Sequence, residues 1–164
     1  MNKELKISII TVTKNSEKYL EENILSVANQ SYKNYEHIII DGNSTDQTKN
    51  IINKHREKIS YWVSEPDDGL YFAMNKGIKK ATGDIIGILN SDDVFYPDAL
   101  RIVNKYFTNE TKLDFLFGSV YKHKLMHGYN PKKIKWTFGF YTTHSVGFFI
   151  KKNVQKKIGY YDTQ

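Results

Sequence analysis

Gly83-Asp84-Ile85-Ile86-Gly87-Ile88-Leu89-Asn90-Ser91-Asp92-Asp93 is the stretch that decides how the chain is read. A glycine turn opens it, a short apolar run follows, and it stops at two adjacent carboxylates. The run predicts a buried strand over 84–89 that delivers Asp92 and Asp93 to the rim of a sheet. The next cation in sequence is Arg101, so nothing close by neutralises them. Such a pair suits a divalent metal, a sugar hydroxyl or a cationic partner. It equally suits the plainer task of capping the helix that Pro97 opens.

The same unit, an apolar strand with a polar stop and then a helix, precedes this stretch three times. Residues 5–13 read as a strand through Ile7, Ile9, Ile10 and Val12, broken by Lys14-Asn15-Ser16. Ser16 then caps a helix with Tyr19, Leu20, Ile24, Val27 and Ala28 on one face. A second strand over 35–40 stops at Asp41, and Ser44 with Gln47 fits a capping box for a helix to about His55 that turns Ile51 and Ile52 inward. A third strand over 59–64 stops at Glu65-Pro66-Asp67-Asp68-Gly69, ahead of a helix over 70–81 that buries Met74, Ile78 and Ala81. After the fourth strand, Pro97 opens a helix carrying Leu100, Ile102, Val103, Tyr106 and Phe107. A fifth strand over 113–121, a basic and aromatic loop or hairpin over 122–141, a strand over 143–150 and a short helix over 153–158 complete the pattern. Strand–helix alternation without repeat or linker predicts one domain over 1–164. Its class is α/β: a mostly parallel sheet between two helical layers.

Composition narrows the function classes. With 164 residues and 40% hydrophobic residues the protein is large enough to bury a real core. Cysteine is absent, which excludes disulfides and thiolate metal sites. The apolar runs are too short to span a bilayer, and the first residues make a poor signal peptide, so a cytoplasmic location is expected. The net charge of +6 is unevenly placed. Residues 1–100 hold 12 Lys/Arg against 15 Asp/Glu, and residues 101–164 hold 12 against 3. Lys132, Lys133, Lys135, Lys151 and Lys152 belong to the basic part and could meet anionic lipid or an acceptor phosphate.

Parallel strands end along one rim, where ligands of open α/β sheets bind. Here Thr13, Lys14 and Asn15 follow the first strand, Asp41 the second, Asp67 and Asp68 the third, and Asp92 and Asp93 the fourth. Neither G-x-G-x-x-G nor G-x-x-x-x-G-K-[ST] is present, so a dinucleotide or P-loop site is not expected. Carboxylates repel phosphate directly. They accept from ribose and base, and they reach phosphate through a hard cation. That points to a nucleoside diphosphate bridged by Mg²⁺ or Mn²⁺.

At these residues the sequence resembles the family 2 glycosyltransferases, with their GT-A fold. Four segments carry the resemblance: Ile7-Ser8-Ile9-Ile10-Thr11-Val12-Thr13-Lys14-Asn15; Gln30 to Glu36 running into Ile38-Ile39-Ile40-Asp41-Gly42-Asn43-Ser44-Thr45-Asp46; Asp67-Asp68-Gly69-Leu70-Tyr71 with Ala73-Met74-Asn75-Lys76-Gly77-Ile78; and Leu89-Asn90-Ser91-Asp92-Asp93. They cover residues 5–100. His144 to Ile150 is similar to the segment leading back to the family's acceptor side.

The resemblance implies a nucleotide-diphosphate sugar donor, a UDP-sugar first, and a glycan or lipid-linked acceptor. Residues 1–100 would form the nucleotide-sugar half and 101–164 the start of an acceptor half. Thr11, Val12, Thr13 and Lys14 would line the nucleotide pocket, Asp41 would accept from base or ribose, and Asp68 would help close the pocket. Asp92 and Asp93 resemble the D-x-D-type pair, with Asp93 the main ligand of Mn²⁺ or Mg²⁺ and Asp92 near ribose or metal. Lys76 would add charge near phosphate, Asn75 would brace its loop, and His144 would stand beside the acceptor or diphosphate. Phe72 departs from the pattern, where relatives often carry Asp. The inverting members' general base follows a segment like Lys157 to Asp162. It is therefore expected beyond Gln164, in a domain truncated at its C-terminal end. Two other readings follow. One is a nucleotide-sugar-binding module without turnover, since the base is missing. The other is a nucleic-acid-binding domain, suggested by a pI of about 9.2. An acidic rim and the lack of a nucleic-acid motif argue against the second. Contact with the inner face of the membrane is the remaining expectation.

Overall fold

The computed structural model describes residues 4–118, 120–122, 124–126 and 147–163. β1 (Ile7–Thr13) is buried along its whole length. It lies between two parallel partners: β2 (Tyr35–Asp41), paired from Ile7↔Tyr35 to Thr13↔Asp41, and β4 (Ile85–Ile88), paired from Ile7↔Ile85 to Ile10↔Ile88. β3 (Tyr61–Ser64) adds to β2, again in parallel. On the other side, β8 (Phe148–Lys151) runs antiparallel to β4 and to β5 (Phe115–Phe117). The six-stranded order is β3-β2-β1-β4-β8-β5. The backbone leaves β1 toward β2 and returns to β1's far side as β4, so the order reverses between those two strands. That is the crevice in which open α/β sheets hold ligands.

Helices cover both faces. α1 (Leu20–Ala28), α2 (Thr48–Lys54) and α4 (Ala99–Asn109) lie on one side, and α3 (Leu70–Lys80) and α5 (Lys152–Ile158) on the other. The strand alternation sorts the core accordingly. Ile7, Ile9 and Ile39 face the first layer, while Ile10, Ile38, Ile40 and Ile86 face the second. Gly77 lets α3 settle onto β1: a Cβ there would stand 2.3 Å from Cγ2 of Ile10. Among the described residues no helix is long and apolar enough to cross a membrane.

The elements follow the sequence pattern, and the differences lie at their ends. Ser44 and Gln47 form no capping box, because the Ser44 hydroxyl is given to Asp41, and α2 begins only at Thr48. Ser16 starts a turn through its backbone carbonyl, which accepts from the N–H groups of Tyr19 and Leu20, and α1 begins at Leu20. The pair Asp92-Asp93 caps no helix, since α4 starts after Asp98. On α4, Leu100, Val103 and Phe107 turn inward, while Ile102 and Tyr106 face outward. The expected strand over 113–121 is divided into β5 and β6 (Val120–Lys122), and β6 pairs with β7 (Lys124–Met126) as a hairpin. Residues 127–146, most of the predicted loop and the first part of the predicted strand over 143–150, lie outside the described residues.

Glu36 and His37 are adjacent buried titratable groups of β2. Glu36 lies at the start of β2. Burial alone would raise its pKa, but hydrogen bonds from Lys6, Ser8 and Thr82 outweigh that and hold it at about 2. His37 is fully buried, and burial lowers its imidazole to about 3. Unfolded histidine takes its proton near pH 6.5. The folded pKa is the lower one, so the contribution of neutral His37 is complete above pH 6.5 and is lost as pH falls toward 3. Acidification from pH 6.5 to 5 should therefore cost about 2 kcal/mol of stability, before Glu36 titrates. Thermal or urea unfolding at the two pH values checks this. A His37→Gln variant should lose most of the difference, and an equal pH response in both proteins would contradict it.

Candidate functional site

At the C-terminal ends of β1 to β4 the fold leaves a cleft of about 700 Å³. Val12, Thr13, Lys14 and Ser16 line it from β1 and its following turn, and Gly42 from the end of β2. Asp67, Asp68, Gly69, Leu70 and Ala73 enclose it from the loop after β3 and the first turn of α3, and Asn90, Ser91 and Asp92 from the end of β4. Among the described residues three carboxylates thus share the wall with one ammonium, and the cleft favours a cation or a hydroxyl-rich ligand.

Two asparagines turn the backbone at the rim. Asn15 and Asn43, directly after β1 and β2, have φ of 50° and 57°. Asparagine tolerates this left-handed conformation better than most residues. The turns are then laced together. The N–H of Asn15 donates to Ser44 Oγ at 2.8 Å, and that of Thr45 to Asn15 Oδ1 at 2.9 Å. The N–H of Ser16 donates to Thr48 Oγ1 at 2.8 Å, and the Ser16 and Ser91 hydroxyls meet at 2.9 Å. Over Gly42 the loops come close: a Cβ there would lie 3.2 Å from Asp67 Oδ2 and 3.3 Å from Lys14 Cδ.

The residues expected at the site divide into those on the wall and those behind it. Val12, Thr13, Lys14, Asp68 and Asp92 line the cleft. Thr13 is buried, and among the described residues its hydroxyl has no hydrogen-bond partner. Thr11 lies one pleat deeper and does not reach the wall; its hydroxyl donates to Asn23 Oδ1 at 3.2 Å. Asp41 is fully buried. Its carboxylate accepts from the N–H of Ser44 at 3.0 Å, from the Ser44 hydroxyl and from the Ser64 hydroxyl at 2.6 Å. Three of a carboxylate's four acceptor positions are thereby taken. The Asp93 carboxylate accepts from Asn90 Nδ2 at 3.2 Å. Lys76 does not point to the cleft but pairs with Glu65 at 2.8 Å. Asn75 does brace a loop, the one at Tyr161: it donates to that residue's carbonyl and accepts from its N–H, both at 2.9 Å. His144, Lys132, Lys133 and Lys135 lie outside the described residues.

The sequence reading passed over Asn23. This α1 residue is fully buried, and its amide donates to the carbonyls of Asn90 at 2.8 Å and Asp93 at 2.9 Å. Those carbonyls bracket Ser91 and Asp92. Both amide hydrogens are committed, so Oδ1 must accept, and Thr11 is its donor. The Thr11 hydroxyl, with its hydrogen spent, can only accept from His37 Nε2 at 3.0 Å, which fixes that imidazole as the Nε2–H tautomer. A signal was available: position 23 falls on the apolar stripe of Leu20, Ile24 and Val27, where a polar side chain needs buried partners. Gln30 acts likewise, donating to the Tyr96 carbonyl at 2.8 Å and accepting from the N–H of Leu100 at 3.0 Å.

The comparisons with known proteins agree with this architecture. The model of glycosyl transferase family 2 matches residues 8–162. An uncharacterized glycosyltransferase of Mycobacterium tuberculosis is 41% identical over 114 residues, 68% of this chain and 44% of that one. The present sequence therefore spans less than half the length of that relative. Among solved structures, Staphylococcus aureus TarS 1-349 in complex with UDP-GlcNAc superposes with a TM-score of 0.74 at 24% identity, covering 93% of this chain and 47% of the other. A mannosyltransferase from Pyrobaculum calidifontis in complex with GDP-Man and Mn²⁺ gives 0.76 at 20% identity, covering 98% and 48%. At these identities the two structures speak for the fold, which is that of the GT-A glycosyltransferases.

Replacing Asn23 by alanine would take the side-chain donor from the Asp93 carbonyl and leave the Thr11 hydroxyl without its acceptor, each worth about 1–3 kcal/mol when unpaired, while the Asn90 carbonyl would keep only the N–H of Asp93. Asn23→Ala should lower stability by about 2–4 kcal/mol in urea unfolding, water filling part of the gap. A loss below about 1 kcal/mol would mean that the loop bearing Asp92 holds itself.

Proposed function

We propose, from the premise that this chain belongs to glycosyl transferase family 2, that its cleft binds a nucleotide-diphosphate sugar, a UDP-sugar first, and that the hexosyl group passes to a hydroxyl of a glycan or lipid-linked acceptor. The observation that carries the reading is the Thr13 hydroxyl, buried in the cleft wall without a partner among the described residues. Such a group is costly unless a ligand answers it, and a nucleobase edge offers both donors and acceptors. Asp41, beneath Gly42, keeps one acceptor position for a base or ribose, and Asp68 closes the pocket over the nucleoside. Lys14 adds a positive charge to the cleft wall.

The rim's hard oxygen donors fit Mn²⁺ or Mg²⁺. Among the described residues no three His, Cys, Asp or Glu side chains come together around a point. A cation there would take Asp93 and Asp92 and share the donor's diphosphate, the usual habit of magnesium. When bound, it supplies positive charge to the departing diphosphate. In the reaction the acceptor oxygen bonds to the anomeric carbon as that carbon's bond to the diphosphate oxygen breaks. The electron pair leaves with the nucleoside diphosphate, and the acceptor's proton goes to a general base. Attack opposite the leaving group inverts the anomeric centre. A lipid-linked acceptor would set this work at the inner face of a membrane.

Calorimetry with UDP tests the assignment. The unaltered protein should bind UDP more tightly with Mn²⁺ than without. Asp93→Ala should lose that metal dependence, and an unchanged affinity in the presence of Mn²⁺ would sink the metal-site assignment.

Thr13→Val should act with opposite signs on two measurements. Removing an unanswered buried hydroxyl should stabilise the free protein by about 1 kcal/mol, while UDP affinity falls by roughly fivefold. A variant less stable than the parent, or one that binds UDP as well, would remove Thr13 from the base pocket.

A further inference from the structure

A second cavity, of about 250 Å³, lies on the α3–α5 face. Ile78 and Lys79 of α3, Ile86 of β4, and Lys152, Lys156 and Tyr160 in or after α5 line it. It is distinct from the cleft at the strand ends. α3 reaches that cleft with Leu70 and Ala73, and this cavity with Ile78 and Lys79, roughly 8–14 Å further along the helix axis.

Its chemistry is the reverse of the cleft's. Among the described residues three lysines line it, and no carboxylate does. Neither α3 (Leu70–Lys80) nor α5 (Lys152–Ile158) contains an acidic residue. Two cations nearby are answered: Lys76 of α3 pairs with Glu65, and Lys151 at the end of β8 donates to the Thr111 carbonyl at 2.7 Å. Among the described residues Lys79, Lys152 and Lys156 have no such acidic partner, and the Lys79 ammonium stands 5.2 Å from the centre of the Tyr160 ring. Ile78 and Ile86, nearly fully buried, supply an apolar wall. Ile158 and Tyr160, on either side of the lining residue Gly159, are 66% and 56% exposed.

Like charges gathered around a concave surface repel one another until an anion enters between them. A lysine cluster suits phosphate as a point charge, and the apolar wall suits a phosphate that brings carbon with it. We propose that this cavity binds a phosphate group carried on an organic body, at a site independent of the donor cleft. The phosphate can come from a soluble ester or from an anionic lipid at a membrane surface, with Ile158 and Tyr160 entering the interface in the second case.

Two probes separate the sources. One is glycerol phosphate, followed by the NMR shift of the Gly159 amide. The other is co-sedimentation with phosphatidylglycerol vesicles, against phosphatidylcholine vesicles as reference. The unaltered protein should bind at least one probe. Lys152→Ala/Lys156→Ala should weaken that binding by about tenfold or more, while its circular dichroism and its response to UDP stay those of the parent. Binding of glycerol phosphate identifies a soluble ester, and binding of phosphatidylglycerol vesicles alone identifies the lipid. The proposal falls if neither probe binds, if phosphatidylcholine vesicles bind as well, or if the double variant binds like the parent. UDP binding reports the donor cleft separately, so failure there leaves this result readable.

Discussion

One buried amide sets the geometry of the acidic rim. Asn23 spends both hydrogens on the carbonyls that flank Ser91 and Asp92, and it does so from α1, a helix that otherwise packs apolar side chains on the sheet. The bond pattern leaves the network no freedom: Thr11 must donate to Asn23, and His37 must donate to Thr11. A loop carrying carboxylates would otherwise relax outward, away from its own charge and from the acids after β3. Tied to the sheet core, it holds Asp92 facing Asp67 and Asp68 across a shared space.

The sheet order makes that space. β1 and β4 lie side by side where the strand order reverses, and the turns that follow them, joined at Ser16 and Ser91, form one wall of the crevice. The charges then divide along the strand direction. Carboxylates collect where the parallel strands end, and lysines with no acidic partner among the described residues collect toward the last turn of α3 and along α5. The net charge of +6 is therefore a poor guide to either end.

The strands and helices were legible because their apolar periods are plain: the unbroken run in β1, the stripes of α3 and α4, the abrupt polar stops. The rim's acids were legible for the same reason, since parallel strands must end together. What hydrogen bonds decide was less so. Ser44 has the spacing of a capping box, but Asp41 takes its hydroxyl, and nothing local ranks those two acceptors. Thr11 and Thr13 point to the same side of β1, yet only Thr13 reaches the wall, because Asn23 and His37 meet Thr11 from other elements. Lys79 and Lys156 come together only once β4 and β8 pair, a contact between distant parts of the sequence.

The hydrogen bonds among the turns after β1, β2 and β4 carry one more consequence. Asn15 with Ser44, Ser16 with Thr48 and Ser16 with Ser91 are bonds made within the protein itself. The turns have already given up their conformational entropy during folding. A molecule entering the cleft is spared the ordering cost that flexible loops exact, about 0.5–1.5 kcal/mol for each side chain immobilised. The rim thus works as a rigid mould, which selects occupants by shape and charge rather than by adapting to them.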